Sequence, residues 1–320
     1  MRDGKTEGGG PVRFAALVPA EVVAGHARVV AGERATARTG APFHRLVLAD
    51  ATGSELTARR FDVGEEAAPP VGCVVRVTGV VELYRDRRSL KLTVCVVAPE
   101  VPAAAFRPRV PAARAATPAE FDALVAGIAD PGLRGLVEAC LVGEERDRFA
   151  LMPAAVRHHG AAVGGLLAHT VRVARIALAL TEIVGAGVDR DVVLAAALLH
   201  DLGKLDELVS EPGAGVTPAG TLVGHVGLGL LRVAAAAERV SGLTPERRQA
   251  VLHAVLAAHG RVEHGAPVVP ATVEALIVHL ADLAEATLAA AQEATERAEP
   301  GAGWTPYLPR FGTRLRVPGR

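Results

Sequence analysis

The chain has 320 residues, half of them hydrophobic, with 35 Lys/Arg balancing 35 Asp/Glu. That length suits two domains and a sizeable core, while its apolar runs, such as Val192 to Leu199, fall far short of the ~18 residues of a membrane span. The polar start MRDGKTEGGGP holds no secretory signal, and three widely spaced cysteines (Cys73, Cys95, Cys140) make no disulfide framework, so a reducing, cytoplasmic setting with no membrane partner is expected.

In chain order, residues 1–11 are read as a disordered N-terminus. Residues 12–98 have β texture, with strands predicted at Val22–Val30, Phe43–Ala49, Ser54–Phe61, Cys73–Val81 and Ser89–Val97. The second places Phe43, Arg45 and Val47 on one face and His44, Leu46 and Leu48 on the other, and Asp50-Ala51-Thr52-Gly53 turns the chain into the third. Five short strands without a long helix favour a Greek-key barrel of the OB type. Residues 99–118, with five prolines, read as a linker. Residues 119–298 form the next domain. Helices are predicted over 118–129, 131–142, 162–184, 189–203, 224–240, 245–258 and 270–298, the first opened by Thr117-Pro118-Ala119-Glu120. Residues 299–320 are a basic C-terminal tail. The expected fold class is two-domain: a small N-terminal β-barrel (OB-fold) followed by an all-α helical bundle.

The neutral total conceals a pattern. Residues 1–115 carry 17 Lys/Arg against 12 Asp/Glu, residues 116–300 carry 14 against 23, and residues 301–320 carry four arginines and no acid. Basic ends suit a polyanion partner, and an acidic middle suits cations.

Eleven histidines are present and nine lie after residue 157. His169 sits within an apolar helix, His200-Asp201 follows the apolar run VVLAAALL, and His279 and Asp282 share one face of the last helix. A lone histidine on such a helix is usually a satisfied core residue. An adjacent His-Asp after a buried run is different, because an unpartnered buried carboxylate costs several kcal/mol. A divalent metal removes that cost, and imidazole and carboxylate are its natural ligands.

The pattern His169, His200-Asp201, Asp282 resembles that of the HD-domain metal-dependent phosphohydrolases. The stretches PAAVRHHGAAVGGLLAHT (153–170), LLHDLGKLDEL (198–208), GTLVGHVGLG (220–229), HAVLAAHGRVEHGAPVVP (253–270) and EALIVHLAD (274–282) resemble the YhaM-type 3′-5′ exoribonucleases, whose N-terminal OB-fold matches the barrel expected here. The resemblance implies that His169, His200, Asp201 and Asp282 are core metal ligands, with Asp201 able to bridge two ions. It implies that His225 and His253 hold a second ion and that Lys204 neutralises charge developing on phosphate. Asp201 and Lys204 are thus the expected catalytic residues. The metal it favours is Mn²⁺, as one ion or two, and the ligand types also suit Fe, Co, Ni, Zn or Mg.

Where the family has Ser-His-His-Gly, this chain has Ala257-Ala258-His259-Gly260. His253 and His259 are six residues apart, about 600° of helix rotation, so they do not share a face. His253 is the preferred ligand. His259 is expected near the substrate phosphate or in support, unless Gly260 ends the helix and lets it swing inward. His158 and His159 are further candidates for the metal or the substrate path. On the barrel, Phe43, Arg59, Phe61, Tyr84, Arg85, Arg87, Arg88 and Lys91 are candidate nucleic-acid contacts, by stacking and phosphate pairing.

The expected function is metal-dependent 3′-5′ hydrolysis of single-stranded RNA, with single-stranded DNA as a second polymer, the barrel holding the strand and the helical domain cutting it. One alternative is a hydrolase of mononucleotides, cyclic or signalling nucleotides; another is a non-catalytic nucleic-acid-binding protein with a structural metal. Single-stranded nucleic acid, RNA above DNA, is the expected partner, and the sequence leaves a homo-oligomer open.

Overall fold

The computed structural model describes residues 10–318 apart from 15–16, 85–86, 108, 113, 156–161, 210–214 and 299–300. The chain divides between Arg109 and Val110 into two compact units, each built around its own apolar core.

The first unit is a closed five-stranded barrel, ordered β1-β2-β3-β5-β4. Its strands are β1 Val22–Thr36, β2 Pro42–Ala49, β3 Glu55–Phe61, β4 Val74–Tyr84 and β5 Arg87–Val97. The pairs are antiparallel except β3 with β5, which run parallel. This is the OB-type barrel expected from the strand spacing. β1 runs six residues past its predicted end because it serves two neighbours: residues 22–28 pair with β4 and residues 28–36 with β2, with an irregularity between Val29 and Ala31. Such a bulge sharpens strand curvature and lets one strand close a barrel. Leu46, Leu48, Ala58, Val75, Val77 and Leu90 fill the interior, and of the two faces that alternation separates in β2 the one with His44, Leu46 and Leu48 is buried.

At the β2–β3 turn the buried Asp50 carboxylate accepts backbone N–H groups from Thr52 at 2.8 Å, Ser54 at 3.1 Å and Phe14 at 2.7 Å. One side chain thereby closes the turn and ties down the segment preceding β1. Within residues 99–118, a 3₁₀ turn at Ala103–Phe106 buries the Phe106 ring to 1% exposure, while the other described residues of this proline-rich stretch are exposed or half-buried. The three cysteines are free thiols. Burial pushes Cys95 up to about 11 and Cys140 up to about 12.

The second unit is helical. Its elements are α1 Pro118–Ala126, α2 Pro131–Cys140, α3 Glu144–Leu151, α4 Gly165–Val184, α5 Arg190–Leu199, α6 Lys204–Glu207, α7 Pro218–Ala237, α8 Pro245–Leu256 and α9 Val273–Glu296. Thr117 and Glu120 form the capping box that opens α1. Thr217-Pro218 and Thr244-Pro245 repeat the Thr-Pro start, and Thr272 caps α9, which therefore begins at 273 and not at 270.

α3, the one-turn α6 and the start of α7 escaped the periodicity. α3, EERDRFAL, has almost no apolar face. It is held by the buried Phe149 ring against Phe121, 5.5 Å between centroids, and by acids in its first turn that oppose the helix dipole. α7 begins six residues earlier than its apolar pattern suggested and is broken at Gly224, whose φ of 73° and ψ of 157° are non-helical. α7 is the one helix among the described residues long and apolar enough to cross a membrane by composition, yet it packs against α2, α6 and α8. α5 lies at the centre, buried from Val192 to Leu199 and packed against α2, α4, α8 and α9. Such a helix can end in polar groups only if its neighbours supply their partners. Residues 301–318 form a short hairpin, bridged antiparallel at Trp304/Arg316 and Leu308/Thr313.

Candidate metal centre

Four helices and two helix-terminal turns converge where α5 ends. His200 is the residue after α5 and donates its Nδ1–H to the Ala197 carbonyl, 2.9 Å away, so its Nε2 lone pair points outward. His169, in the first turns of α4, donates from Nδ1 to Glu285 Oε2 of α9 at 2.6 Å, which leaves its Nε2 lone pair free as well. The two Nε2 atoms lie 3.2 Å apart. His169 Nε2 is also 3.2 Å from Asp201 Oδ2 and 3.3 Å from Asp282 Oδ1. Four electron-rich atoms therefore face one point.

A second set adjoins the first. The break at Gly224 releases the His225 backbone N–H from the helix ladder, and Glu207 at the end of α6 accepts it, 3.2 Å, together with the ring Nδ1–H. This turns His225 Nε2 to within 2.8 Å of His259 Nε2 and 3.6 Å of Asp201 Oδ1. Close packing fixes the approach: a Cβ on Gly203 would fall 2.0 Å from the His225 carbonyl oxygen. His259 lies past the end of α8 and donates from Nδ1 to Asp282 Oδ2 at 3.2 Å. It gets there because Gly260 adopts φ +75° and lies under the His279 ring, where a Cβ would stand 2.2 Å from an imidazole carbon. His279 in turn donates to the Ala258 carbonyl at 3.0 Å, pinning the turn.

His169, His200 and Asp201 thus form one three-ligand set and Asp201, His225 and His259 another, each with ligand atoms within 4.8 Å of one another. Asp201 belongs to both. It is 1% exposed, and its Oδ1 has no hydrogen-bond partner among the described residues. An orphaned buried carboxylate oxygen facing imidazole lone pairs fits a divalent cation, which supplies what that oxygen lacks.

Electrostatics agree. Burial pushes the Asp201 carboxyl up, but the Lys204 ammonium and His200 outweigh it and hold Asp201 well below the usual carboxylate range. Burial also opposes ionisation of Asp282, and its contacts with His169 and His259 reverse that. Burial depresses His169, yet the carboxylates of Asp201, Asp282 and Glu285 hold its imidazole well above its ordinary value. The pocket favours positive charge at its centre.

Of the residues singled out from sequence, His169, His200, Asp201, His225 and Asp282 come together here. Lys204 Nζ stands 2.6 Å from Asp201 Oδ2 at the rim, 14% exposed. His253 does not join them. It faces the loop before α9, where its Nε2 accepts the Ala271 backbone N–H at 2.9 Å, and that bond occupies the lone pair a metal would need. His259 stands in its place because the helix ends early, at Leu256. His158 and His159 lie outside the described residues. Glu207 and Glu285 were not singled out, although Glu285 is one helical turn beyond Asp282 and so on the same face of α9.

On the barrel, Phe43 and Phe61 stack across β2 and β3 with centroids 5.3 Å apart. Beside them Arg45, Arg59 and Lys91 form a cross-strand row, and Glu82 lies 3.6 Å from Arg59 and 3.8 Å from Lys91. Arg88 has a structural task, donating to the Leu17 carbonyl at 2.9 Å. Arg85 lies outside the described residues, as do the side chains of Tyr84 and Arg87.

An HD domain profile matches residues 166–287, the span that holds both ligand sets. The chain is 33% identical over 273 residues to the 3′-5′ exoribonuclease YhaM of Listeria monocytogenes serotype 4b (strain CLIP80459), covering 84% of this chain and 86% of that protein. It is 30% identical to those of Geobacillus sp. (strain WCH70), over 83% of this chain and 82% of that one, and Bacillus pumilus (strain SAFR-032), over 86% and 88%. No solved structure matches it. The likeness runs through barrel and helical unit together, and the chain belongs to the YhaM family of exoribonucleases.

Proposed function

We propose that this protein is a metal-dependent 3′-5′ exoribonuclease that hydrolyses single-stranded RNA, with Mn²⁺ as the working ion. The observation that carries the reading is the pair of three-ligand sets sharing the orphaned Asp201 carboxylate, in a chain similar along most of its length to proteins named 3′-5′ exoribonuclease.

His169, His200 and Asp201 would hold one ion, and Asp201, His225 and His259 the other, with Asp282 beside both. A divalent ion held there lowers the pKa of water and polarises a phosphate oxygen. The chain's own residues do the rest. Glu285, Ala197, Glu207 and Asp282 each accept an Nδ1–H and so fix four imidazoles in the tautomer that presents Nε2. Lys204, fixed on Asp201 at the rim, offers its ammonium to a phosphate oxygen whose charge grows in the transition state.

The barrel face supports a polymer substrate. The Phe43–Phe61 stack offers a platform for bases, and the Arg45, Arg59 and Lys91 row offers cations to the backbone. Ion pairs such as Lys91 with Glu82 are half-exposed and worth about 0–1 kcal/mol, so phosphates compete for them readily.

The deciding experiment incubates the chain and its Asp201→Ala variant with labelled single-stranded RNA, a cyclic dinucleotide and a mononucleotide under Mn²⁺. Wild type should shorten the RNA stepwise and the variant should leave it whole. Hydrolysis of small nucleotides alone would support the signalling-nucleotide reading, and binding without any hydrolysis the structural-metal one.

A further inference from the structure

Arg310, Arg314 and Arg316 take no part in the metal centre. The segment that carries them is built and not loose. Thr305 is fully buried; its N–H donates to the Leu315 carbonyl at 2.9 Å, and its hydroxyl oxygen accepts the Leu315 N–H at 3.0 Å. Val317 N–H reaches the Gly303 carbonyl at 3.0 Å, and Leu308 N–H reaches Thr313 at 2.9 Å. The two arms are thus held in register from 303 to 317.

What this hairpin presents is unusual for the chain, whose aromatic content is only 3%. Its one tryptophan, Trp304, is 54% exposed, and Tyr307 is 62% exposed. Arg310, Arg314 and Arg316 are exposed too, and none of them makes an ion pair with a described residue. The segment 301–320 contains no acid. Trp304 and Arg316 are directly paired across the two arms. Some exposed arginines elsewhere sit on carboxylates, as Arg45 does on Glu33 and Arg175 on Glu120, while others such as Arg38 and Arg76 do not among the described residues; what sets the hairpin apart is exposed aromatic rings beside its arginines. Flat rings in solvent beside uncompensated guanidinium groups match a ligand with π-faces and a regular array of negative charge.

We propose that the C-terminal hairpin, residues 303–317, is a second binding surface for single-stranded RNA. Trp304 and Tyr307 stack on bases, while Arg310 and Arg316 pair with backbone phosphates. Arg314 shares the hairpin's own architecture, since its Nε donates to the Thr305 carbonyl at 3.0 Å. Stacking on base faces and pairing with phosphates read no base edge, so these contacts are independent of sequence. It belongs to the same unit as the metal centre, and the inference rests on the RNA-hydrolase reading above.

The test uses full-length chain in an Asp201→Asn background, so that RNA is not consumed, titrated with a fluorescent, unstructured oligoadenylate over a range of KCl concentrations. Arg310→Gln with Arg316→Gln should lower the slope of log affinity against log salt by about 1.4, the loss of two single-strand phosphate contacts. Trp304→Ala should weaken binding about tenfold with little change in slope, and Trp304→Phe should restore most of it. Arg310→Lys with Arg316→Lys must keep the wild-type slope. Unchanged slope and affinity in the glutamine variant overturn the proposal, as does equal damage by the lysine pair, which would report a disrupted hairpin. The RNA-hydrolase reading fails separately, if the chain with Asp201 intact and Mn²⁺ present leaves this oligonucleotide whole.

Discussion

Glu285 Oε2 lies 2.6 Å from His169 Nδ1, and its other oxygen lies 3.3 Å from the Arg172 guanidinium. This buried carboxylate fixes which nitrogen of His169 carries the proton, and so which one is free to bind. Glu285→Ala is expected to weaken metal binding about 10–100-fold. Glu285→Gln, whose carbonyl can still accept the Nδ1–H, should lose less. Calorimetric Mn²⁺ titration of both variants checks the order; equal affinity in wild type and alanine variant would make Glu285 a packing residue only.

His253 and His259 give opposite expectations. His259→Ala removes a ligand of the second set and should abolish hydrolysis and lower bound metal. His253→Ala removes only an acceptor for the Ala271 N–H and should cost about 1 kcal/mol of stability with turnover retained. Metal content, turnover and a thermal melt of each variant decide. If instead His253→Ala strips the metal, the geometry at the end of α8 is wrong.

Lys204→Ala should leave the metal in place and lower turnover by about 10²–10³-fold, because in the proposed mechanism the ammonium held beside Asp201 meets the charge of the transition state. The measurements are kcat on a short oligoribonucleotide and metal by elemental analysis. A variant that binds no metal would show that Lys204 holds Asp201 in position and has no part in the chemistry.

Asp206 makes a two-pronged ion pair with Arg232, one prong 2.7 Å, linking α6 to α7 just beyond the metal centre. The hydrogen bonds from Arg232 hold its carboxyl below the usual carboxylate range against burial. A carboxylate with a lowered folded-state pKa stabilises the fold above its unfolded pKa, near 3.9, and loses that contribution as pH falls through the folded value. Asp206→Asn is therefore expected to destabilise by on the order of 1 kcal/mol at pH 7. Urea melts should show the wild-type advantage shrinking steadily below about pH 4. A gap that stays constant down to strong acid would show that the charge of Asp206 does not matter.

Cleavage from a 3′ end should stall at stable duplex. The chain contains no GxxxxGK[ST] motif and so no evident motor. Each base-pair step must open thermally against roughly 1.4 kcal/mol by the DNA-duplex figure. A 5′-labelled hairpin RNA with a 3′ overhang should shorten to the stem and stop there. Internal cuts, or smooth passage through the stem, would reveal a different mode of attack.

The sequence by itself determined the barrel, the helical unit and most of the residues gathered at the candidate metal centre. Alternation along Phe43–Ala49 separates the two faces of a strand without reference to the rest of the chain, and the apolar run into His200-Asp201 signals a buried carboxylate that needs a cation. Those signals are local, since period and burial follow from adjacent residues. Tertiary structure decided what local pattern leaves open. His259 displaced His253 because α8 ends at Leu256 and Gly260 accepts a left-handed turn under the His279 ring, a packing event between two helices. Glu207 and Glu285 gained their roles from partners 18 and 116 residues away, His225 and His169. A hydrogen bond across such distances depends on where whole helices come to rest, and periodicity within one helix carries no record of it.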